Sequence, residues 1–287
     1  MSGRLYLVAT PIGNLADLGG RAREVLGAVD VVYCEDTRVT RKLLEGHGLK
    51  ADLRTHHAHS SPRSLDAALG RLEQGETAAL VSDAGTPLVS DPGLELVRAA
   101  LERGVEVVPI PGPSAVLTAL VGSGLPTQPF IFLGFLPRGR GDAREILAPW
   151  LAMRATLVMY EAPPRLLGTL TLLEEVAGSD RPACVARELT KRFETFERGT
   201  LAQLRARFET PPKGEIVLVV GPSTMSSEPA VASERLREQA EQLIAGGMKP
   251  SEAAKVLAGA HGVTKRAAYA MVLEVGRASD DDPNSGA

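Results

Sequence analysis

The chain has 287 residues, of which 44% are hydrophobic and 23% charged, with a formal net charge of -3. That much apolar material supports one large domain or two ordinary ones and excludes a disordered chain. The near-neutral balance excludes a global basic field, so any surface for a polyanion must be a local patch.

Aromatic residues are only 4% of the chain, so the core must rest on Leu, Val, Ala and Ile. Cys34 and Cys184 both sit inside apolar runs. They read as buried thiols of a reducing compartment, the cytoplasm, rather than as a disulfide framework. Strand-like sequence begins at Arg4, and no signal peptide is expected before it. No apolar run approaches the roughly 20 residues that cross a bilayer.

Leu5 to Ala9, Val31 to Cys34, Ala78 to Val81 and Val105 to Ile110 read as strands. Amphipathic helices are expected between them, at about 20–28, 38–46, 62–74 and 93–103, with Leu65, Leu69 and Leu72 at helical spacing. Uninterrupted apolar strands alternating with helices predict a parallel sheet covered on both faces. After Ile110-Pro111-Gly112-Pro113 the pattern changes. A helix from Ser114 to Val121 leads to strands at Phe130 to Phe135, Thr156 to Tyr160, Ala183 to Arg187, Phe193 to Glu197 and Ile216 to Val220. Strands joined by shorter connections predict a second α/β domain built on a mixed sheet. The expected boundaries are therefore 1–112 and 113–222, a linker through Pro229, a helix-turn-helix-like module at 233–277 and a disordered tail at 278–287. Ser251 and Thr264 are candidate N-caps within the module.

Three loops at the expected strand ends are rich in Gly and Pro: Thr10 to Asn14, Ser82 to Gly93 and Pro111 to Ala115. Each alone reads as a tight turn. Three at one sheet edge read as a ligand crevice, where Gly admits close backbone approach and Pro stiffens the loop. Asp83 and Thr86 can meet hydroxyl or amino groups, and Ser114 stands at a helix N-terminus with free N–H groups. No GxGxxG or GxxxxGK[ST] run occurs, which argues against a dinucleotide or nucleoside triphosphate enzyme. His56, His57 and His59 have no Cys or carboxylate at ligand spacing, and no metal site is expected.

Ala9 to Leu15, Cys34-Glu35-Asp36-Thr37-Arg38, Ser82 to Gly93, Pro111 to Ala115, Phe132 to Pro137, Tyr160-Glu161-Ala162-Pro163, Ala186 to Lys191 and Lys213-Gly214-Glu215-Ile216 follow one another in order. In this series the chain, over about residues 4–222, resembles the ribosomal RNA small-subunit methyltransferase I family of the tetrapyrrole-methylase superfamily. Ser60 and Pro164 depart from the family pattern, which touches expected substrate contacts rather than the cofactor loops. The resemblance implies two α/β domains with S-adenosylmethionine in the cleft between them. It implies cofactor contacts at Pro11, Asp83, Thr86, Pro87, Val89, Ser114, Ala115, Ala162, Arg187 and Ile216. It further implies 2'-O-methylation of a cytidine in 16S ribosomal RNA, free or within the 30S subunit, by a homodimer.

Methyl transfer to a ribose hydroxyl needs alignment and removal of a proton. Glu188 with Lys191, and Asp36 with Arg38, are the first candidates, although each pair also reads as a solvated ion pair. RNA phosphates call for basic side chains, for which Arg41, Lys42, Arg138, Arg140, Lys191, Arg192, Lys265 and Arg266 are the candidates. The alternatives are a superfamily methylase acting on a tetrapyrrole carbon or on a modified histidine, and a non-catalytic RNA-binding module. The last leaves the cleft motifs without a use.

Overall fold

The structure is a computed structural model that describes residues 3–57, 61–223, 230–261 and 265–280. They fall into two compact units divided near residue 224.

The first unit begins with β1 (Arg4–Val8), α1 (Gly20–Ala28), β2 (Val31–Cys34), α2 (Thr37–Gly46), β3 (Leu53–Thr55), α3 (Pro62–Glu73), β4 (Thr77–Val81), α4 (Leu94–Glu102) and β5 (Glu106–Ile110). The strands form one sheet in the order β3-β2-β4-β1-β5, with every pair parallel. Parallel neighbours cannot be joined by a tight turn, so each connection is a crossover that packs a helix on a sheet face. That is why β2 and β4 read as unbroken apolar runs. Each face has its own core. Leu5, Leu69, Leu80 and Leu96 meet on one, and Val8, Leu26, Val32 and Leu44 on the other.

A second sheet follows α5 (Ala115–Gly122). Its elements are β6 (Phe130–Phe135), α6 (Arg140–Leu151), β7 (Thr156–Glu161), α7 (Leu166–Ala177), β8 (Pro182–Arg187), β9 (Thr195–Thr200), α8 (Leu201–Arg207) and β10 (Ile216–Val220). The order is β6-β7-β10-β8-β9. Only β6 and β7 are parallel; the other pairs are antiparallel, which makes the sheet mixed as expected. The expectation of short connections fails at α6, α7 and α8. The parallel β6–β7 pair requires a crossover helix, and α6 supplies it. One face of this sheet packs under α6, α7 and α8 through Leu147, Leu170 and Leu204. The other packs against α5, where Val116 and Leu120 meet Val158, Cys184 and Val219. Cys34 and Cys184 are buried and free.

The sequence reading missed β3, a short edge strand of polar character, and set β9 two residues early. No helix among the described residues is long and apolar enough to cross a membrane.

The second unit contains α9 (Ala230–Ala245), α10 (Pro250–His261) and α11 (Lys265–Asp280). Leu236, Ala240, Ala253, Leu257, Ala268 and Val272 form its core. Two expectations need correction here. Ser251 lies inside α10, because Pro250 begins that helix with a ring already set at helical φ. The supposed tail from 278 is helical as far as Asp280, where α11 ends. Thr264, Ser60, His59 and most of the expected linker lie outside the described residues.

Candidate active site

The three loops chosen from sequence are tied into one edge. Thr10 and Gly85 exchange both backbone hydrogen bonds, at 2.8 and 3.0 Å. The Thr10 hydroxyl donates to the Ser82 carbonyl at 3.1 Å, and the Thr86 hydroxyl donates to the Pro113 carbonyl at 3.1 Å. Gly85 holds φ +83°, a left-handed conformation that admits Gly at no steric cost. Ser114 caps α5 and accepts from the Leu117 amide.

From the second sheet, the turn after β8 approaches the first loop. A side chain at Gly13 would meet Lys191 Cγ and the Thr190 hydroxyl. Glu188 and Thr190 in this turn, and Leu88 and Ser90 in the loop after β4, all have positive φ. Such conformations are costly for residues with a Cβ, and they cluster at ligand sites. Gly214 adopts φ +95° and lies directly against the Glu188 carboxylate, where a Cβ would have no room.

Between these walls lies a cleft of 410 Å³, a volume ordinary for a small-molecule site. Of the expected cofactor residues, Val89, Ala115, Ala162 and Ile216 line it. Pro11 and Pro87 are buried and do not line it. Asp83 accepts from the Asp36 amide at 3.2 Å and joins the loops after β2 and β4. Thr86 and Ser114 are spent on the loop tie and the cap, and Arg187 donates to the Lys213 carbonyl at 3.1 Å and lines a separate open groove. Sequence reasoning did not select Ile12, Ser90, Asp91, Phe135, Tyr160, Leu189 or Gly214, all on the cleft wall. Their signal was positional: each lies within or beside a recognised motif at the expected sheet edge. Tyr160 stacks edge-on with Phe132 at 5.0 Å and tilts against Phe135 at 5.3 Å, giving the cleft an aromatic side.

The four candidate catalytic residues are ion-paired. Lys191 Nζ donates to Glu188 at 3.0 Å and to Glu215 at 2.9 Å. The Lys191 bond is the main cause that holds the Glu188 carboxyl below its usual range. Partial burial alone would lower the Lys191 pKa, but the two carboxylates outweigh it and keep the ammonium charged. Asp36 caps α2 and grips Arg38, which lowers its pKa to about 2. None of the four lines the cleft.

Of the basic candidates, Arg41, Lys42 and Lys265 are exposed, and Arg192 lies over the exposed Phe193 ring at 5.5 Å. The Arg266 side chain lies outside the described residues. Arg138 and Arg140 line a second hollow of 240 Å³ together with Arg165. Arg138 has no ion pair among the described residues, whereas Arg140 is paired with Glu175. Arg165 donates to the carbonyls of Leu136 and Pro137 and bonds the buried Glu161 at 3.2 Å. Glu161, Ala162 and Pro163 line the cleft and the next residues, Pro164 and Arg165, line the hollow, so the β7 end is a partition shared by both. No cluster of His, Cys, Asp and Glu among the described residues could hold a metal.

The sequence pattern described as Tetrapyrrole (Corrin/Porphyrin) Methylases matches residues 4–205, the stretch that builds the first sheet, all of the second but β10, and most of the cleft. A solved structure of that architecture, uroporphyrin-III C-methyltransferase from Thermus thermophilus complexed with S-adenosyl homocysteine, superposes with a TM-score of 0.56 at 21% identity, covering 76% of this chain and 97% of that one. The class is thus a methyltransferase of the tetrapyrrole-methylase type. Ribosomal RNA small subunit methyltransferase I of Mesorhizobium japonicum is 45% identical over 94% of this chain and 92% of its own length. The protein of the same name from Synechocystis is 44% identical over 95% of this chain and 98% of its own. The chain belongs to the ribosomal RNA small subunit methyltransferase I family of the tetrapyrrole methylases.

Proposed function

We propose that the protein transfers a methyl group from S-adenosylmethionine to the 2'-hydroxyl of a cytidine in 16S ribosomal RNA. Identity of 45% across nearly the whole length of a relative named for that RNA subunit carries the reading. The cleft suits the donor. Ala84, Gly85, Ala115, Ala162 and Gly214 bring backbone to its surface, and Ile12, Val89, Leu189 and Ile216 offer an apolar bed. When bound, the donor supplies an electrophilic methyl group. The residues of the chain orient the acceptor, exclude water and stabilise the charge that develops.

The hollow beside the cleft supports a polyanionic acceptor. Arg138 is free among the described residues, Arg140 and Arg165 stand with it, and the partition at Glu161 separates the hollow from the cofactor space. The Lys191–Glu188–Glu215 network then holds the β8 turn in shape rather than handling protons. The enzyme acts in the cytoplasm and on the RNA or the 30S subunit through these surfaces. It is a homodimer in this reading, supported by the edge position of β6, where Phe130 is exposed while Ile131, Phe132 and Leu133 are half-buried. Light scattering that gives a monomer at micromolar concentration counts against the dimer.

The reaction is tested by mapping ribose methylation of 16S RNA by mass spectrometry. A strain lacking the protein should lose one 2'-O-methylcytidine, and the purified enzyme with S-adenosylmethionine should restore it on isolated RNA or 30S subunits. An unchanged map, or methylation of a porphyrinoid in place of RNA, refutes the reading.

A further inference from the structure

Removing a proton from a ribose hydroxyl calls for a base at the cleft. Three carboxylates touch its wall: Asp91, Glu161 and Glu215. Glu161 is fully engaged by the Ala162 amide at 2.7 Å, the Thr169 hydroxyl at 2.5 Å and Arg165. Glu215 is held by Lys191. Asp91 has no cationic partner among the described residues. It follows Ser90, whose φ of +68° kinks the loop, and precedes Gly93 at φ +115°. The loop closes towards the other sheet, for a Cβ at Gly134 in β6 would lie 3.3 Å from Ser90 Oγ. Asp91 thereby shares the cleft wall with Phe135 and Tyr160.

We propose that Asp91 is the general base that accepts the 2'-hydroxyl proton during methyl transfer, an inference that rests on the ribose-methylase reading above. As the ribose oxygen bonds to the methyl carbon, the carbon–sulfur bond breaks and its electron pair stays on sulfur. The hydroxyl proton moves to the Asp91 carboxylate, from which solvent later removes it.

The surroundings suit a base. The groups that face Asp91 are the Ser82 hydroxyl, Asp83, Glu35 and Tyr160. Burial raises its proton affinity, the Ser82 hydrogen bond opposes this, and Asp83 adds to it. Glu35 is raised likewise, by burial first and then by Asp91 and Asp83. The folded chain therefore binds the Asp91 proton more tightly than the unfolded chain does. The stability this brings is fully present below the unfolded carboxyl pKa, near 3.8, and is lost as pH rises through the folded value. At neutral pH the ionised carboxylate is a liability that a neutral residue would relieve.

The test uses the full-length enzyme, S-adenosylmethionine and 16S RNA or 30S subunits, with wild type alongside. Asp91→Asn should lower kcat about 100-fold or more. Its affinity for S-adenosylmethionine by calorimetry should stay within about twofold of wild type. The acidic limb of the kcat–pH profile should vanish, and Asp91→Glu should recover part of the rate. Glu35→Gln should shift that limb to lower pH, since one repelling carboxylate is gone. Without any ligand, Asp91→Asn should melt higher than wild type at pH 7 and equal to it below the unfolded carboxyl pKa. A kcat for Asp91→Asn within about threefold of wild type, a loss confined to donor affinity, or an unchanged acidic limb overturns the assignment. Failure of the wild type itself to methylate ribose would instead overturn the parent reading.

Discussion

Glu161 sits where fold stability and the site meet, and its removal gives a prediction with a magnitude. The side chain is 1% exposed, and three donors converge on it: the Ala162 amide at 2.7 Å, the Thr169 hydroxyl at 2.5 Å and Arg165 Nε at 3.2 Å. Removing one partner of a buried pair costs about 3–5 kcal/mol, because the other group is left uncompensated. Arg165 is 30% exposed and keeps the carbonyls of Leu136 and Pro137. It can therefore recover part of its solvation, which puts Glu161→Ala at the lower end, about 3 kcal/mol. Glu161→Gln retains an acceptor for the Ala162 amide and should cost about half that. For a unit of this size, 3 kcal/mol corresponds to a fall in Tm of roughly 6–12 °C. Urea unfolding should show a lower midpoint at unchanged slope. Because Ala162 lines the cleft, Glu161→Ala should also weaken S-adenosylmethionine binding at temperatures where the variant is folded. A stability loss under about 1 kcal/mol would mean that the three hydrogen-bonding partners are exchanged for water without penalty, and the reasoning from burial would fail.

RNA binding should weaken in the double variant Arg138→Ala with Arg140→Ala, and its salt dependence should become shallower by about one unit of slope for each phosphate no longer neutralised, with donor affinity unchanged; an unaltered slope removes the hollow from the RNA surface. Arg138 should carry more of the effect, since Arg140 is already bound to Glu175. Truncation after Ser223 keeps both sheets and the whole cleft wall, so the shortened protein should bind S-adenosylmethionine as wild type does and raise KM for RNA; a wild-type rate at subsaturating RNA would show that residues 230–280 do not engage substrate.

The parallel sheet was legible because its strands are buried on both faces and so read as pure apolar runs, as Val31 to Cys34 and Ala78 to Val81 do. β3 was not, because Leu53-Arg54-Thr55 at the sheet edge is held mainly by pairing with β2 and carries no periodic signal. The helix α6 escaped because nothing in the one-dimensional pattern of β6 and β7 says that the two strands run parallel, and only that fact makes a crossover obligatory. At the site, Gly and Pro located the loops but not the side chains that face inward. Thr86 looked like a ligand contact and ties two loops together, whereas Asp91, nearby in the same loop, reaches the cleft wall. Which way each residue turns was decided by the left-handed kinks at Leu88 and Ser90, non-glycine positions that no residue pattern would mark.

Those kinks suggest how the cleft is kept ready. Leu88 and Ser90 in the loop after β4 and Glu188 and Thr190 in the turn after β8 hold conformations that each cost of order 1 kcal/mol or more. Asp91 and Glu35 add desolvated carboxylates that favour a proton. None of this stabilises the fold, so it must be offset elsewhere. The offset comes from the two sheet cores, where Leu157, Leu170 and Leu173 under one sheet and Leu5, Leu72 and Leu96 against the other are fully buried. Burial of each such side chain is worth about 1.5–3 kcal/mol, so a few of them outweigh the strain of the cleft. The binding wall can thus be shaped before a ligand arrives, which lowers the ordering cost of binding. Relaxing it, by Ser90→Gly, should relieve the local backbone strain while loosening the very geometry that brings Asp91 to the cleft.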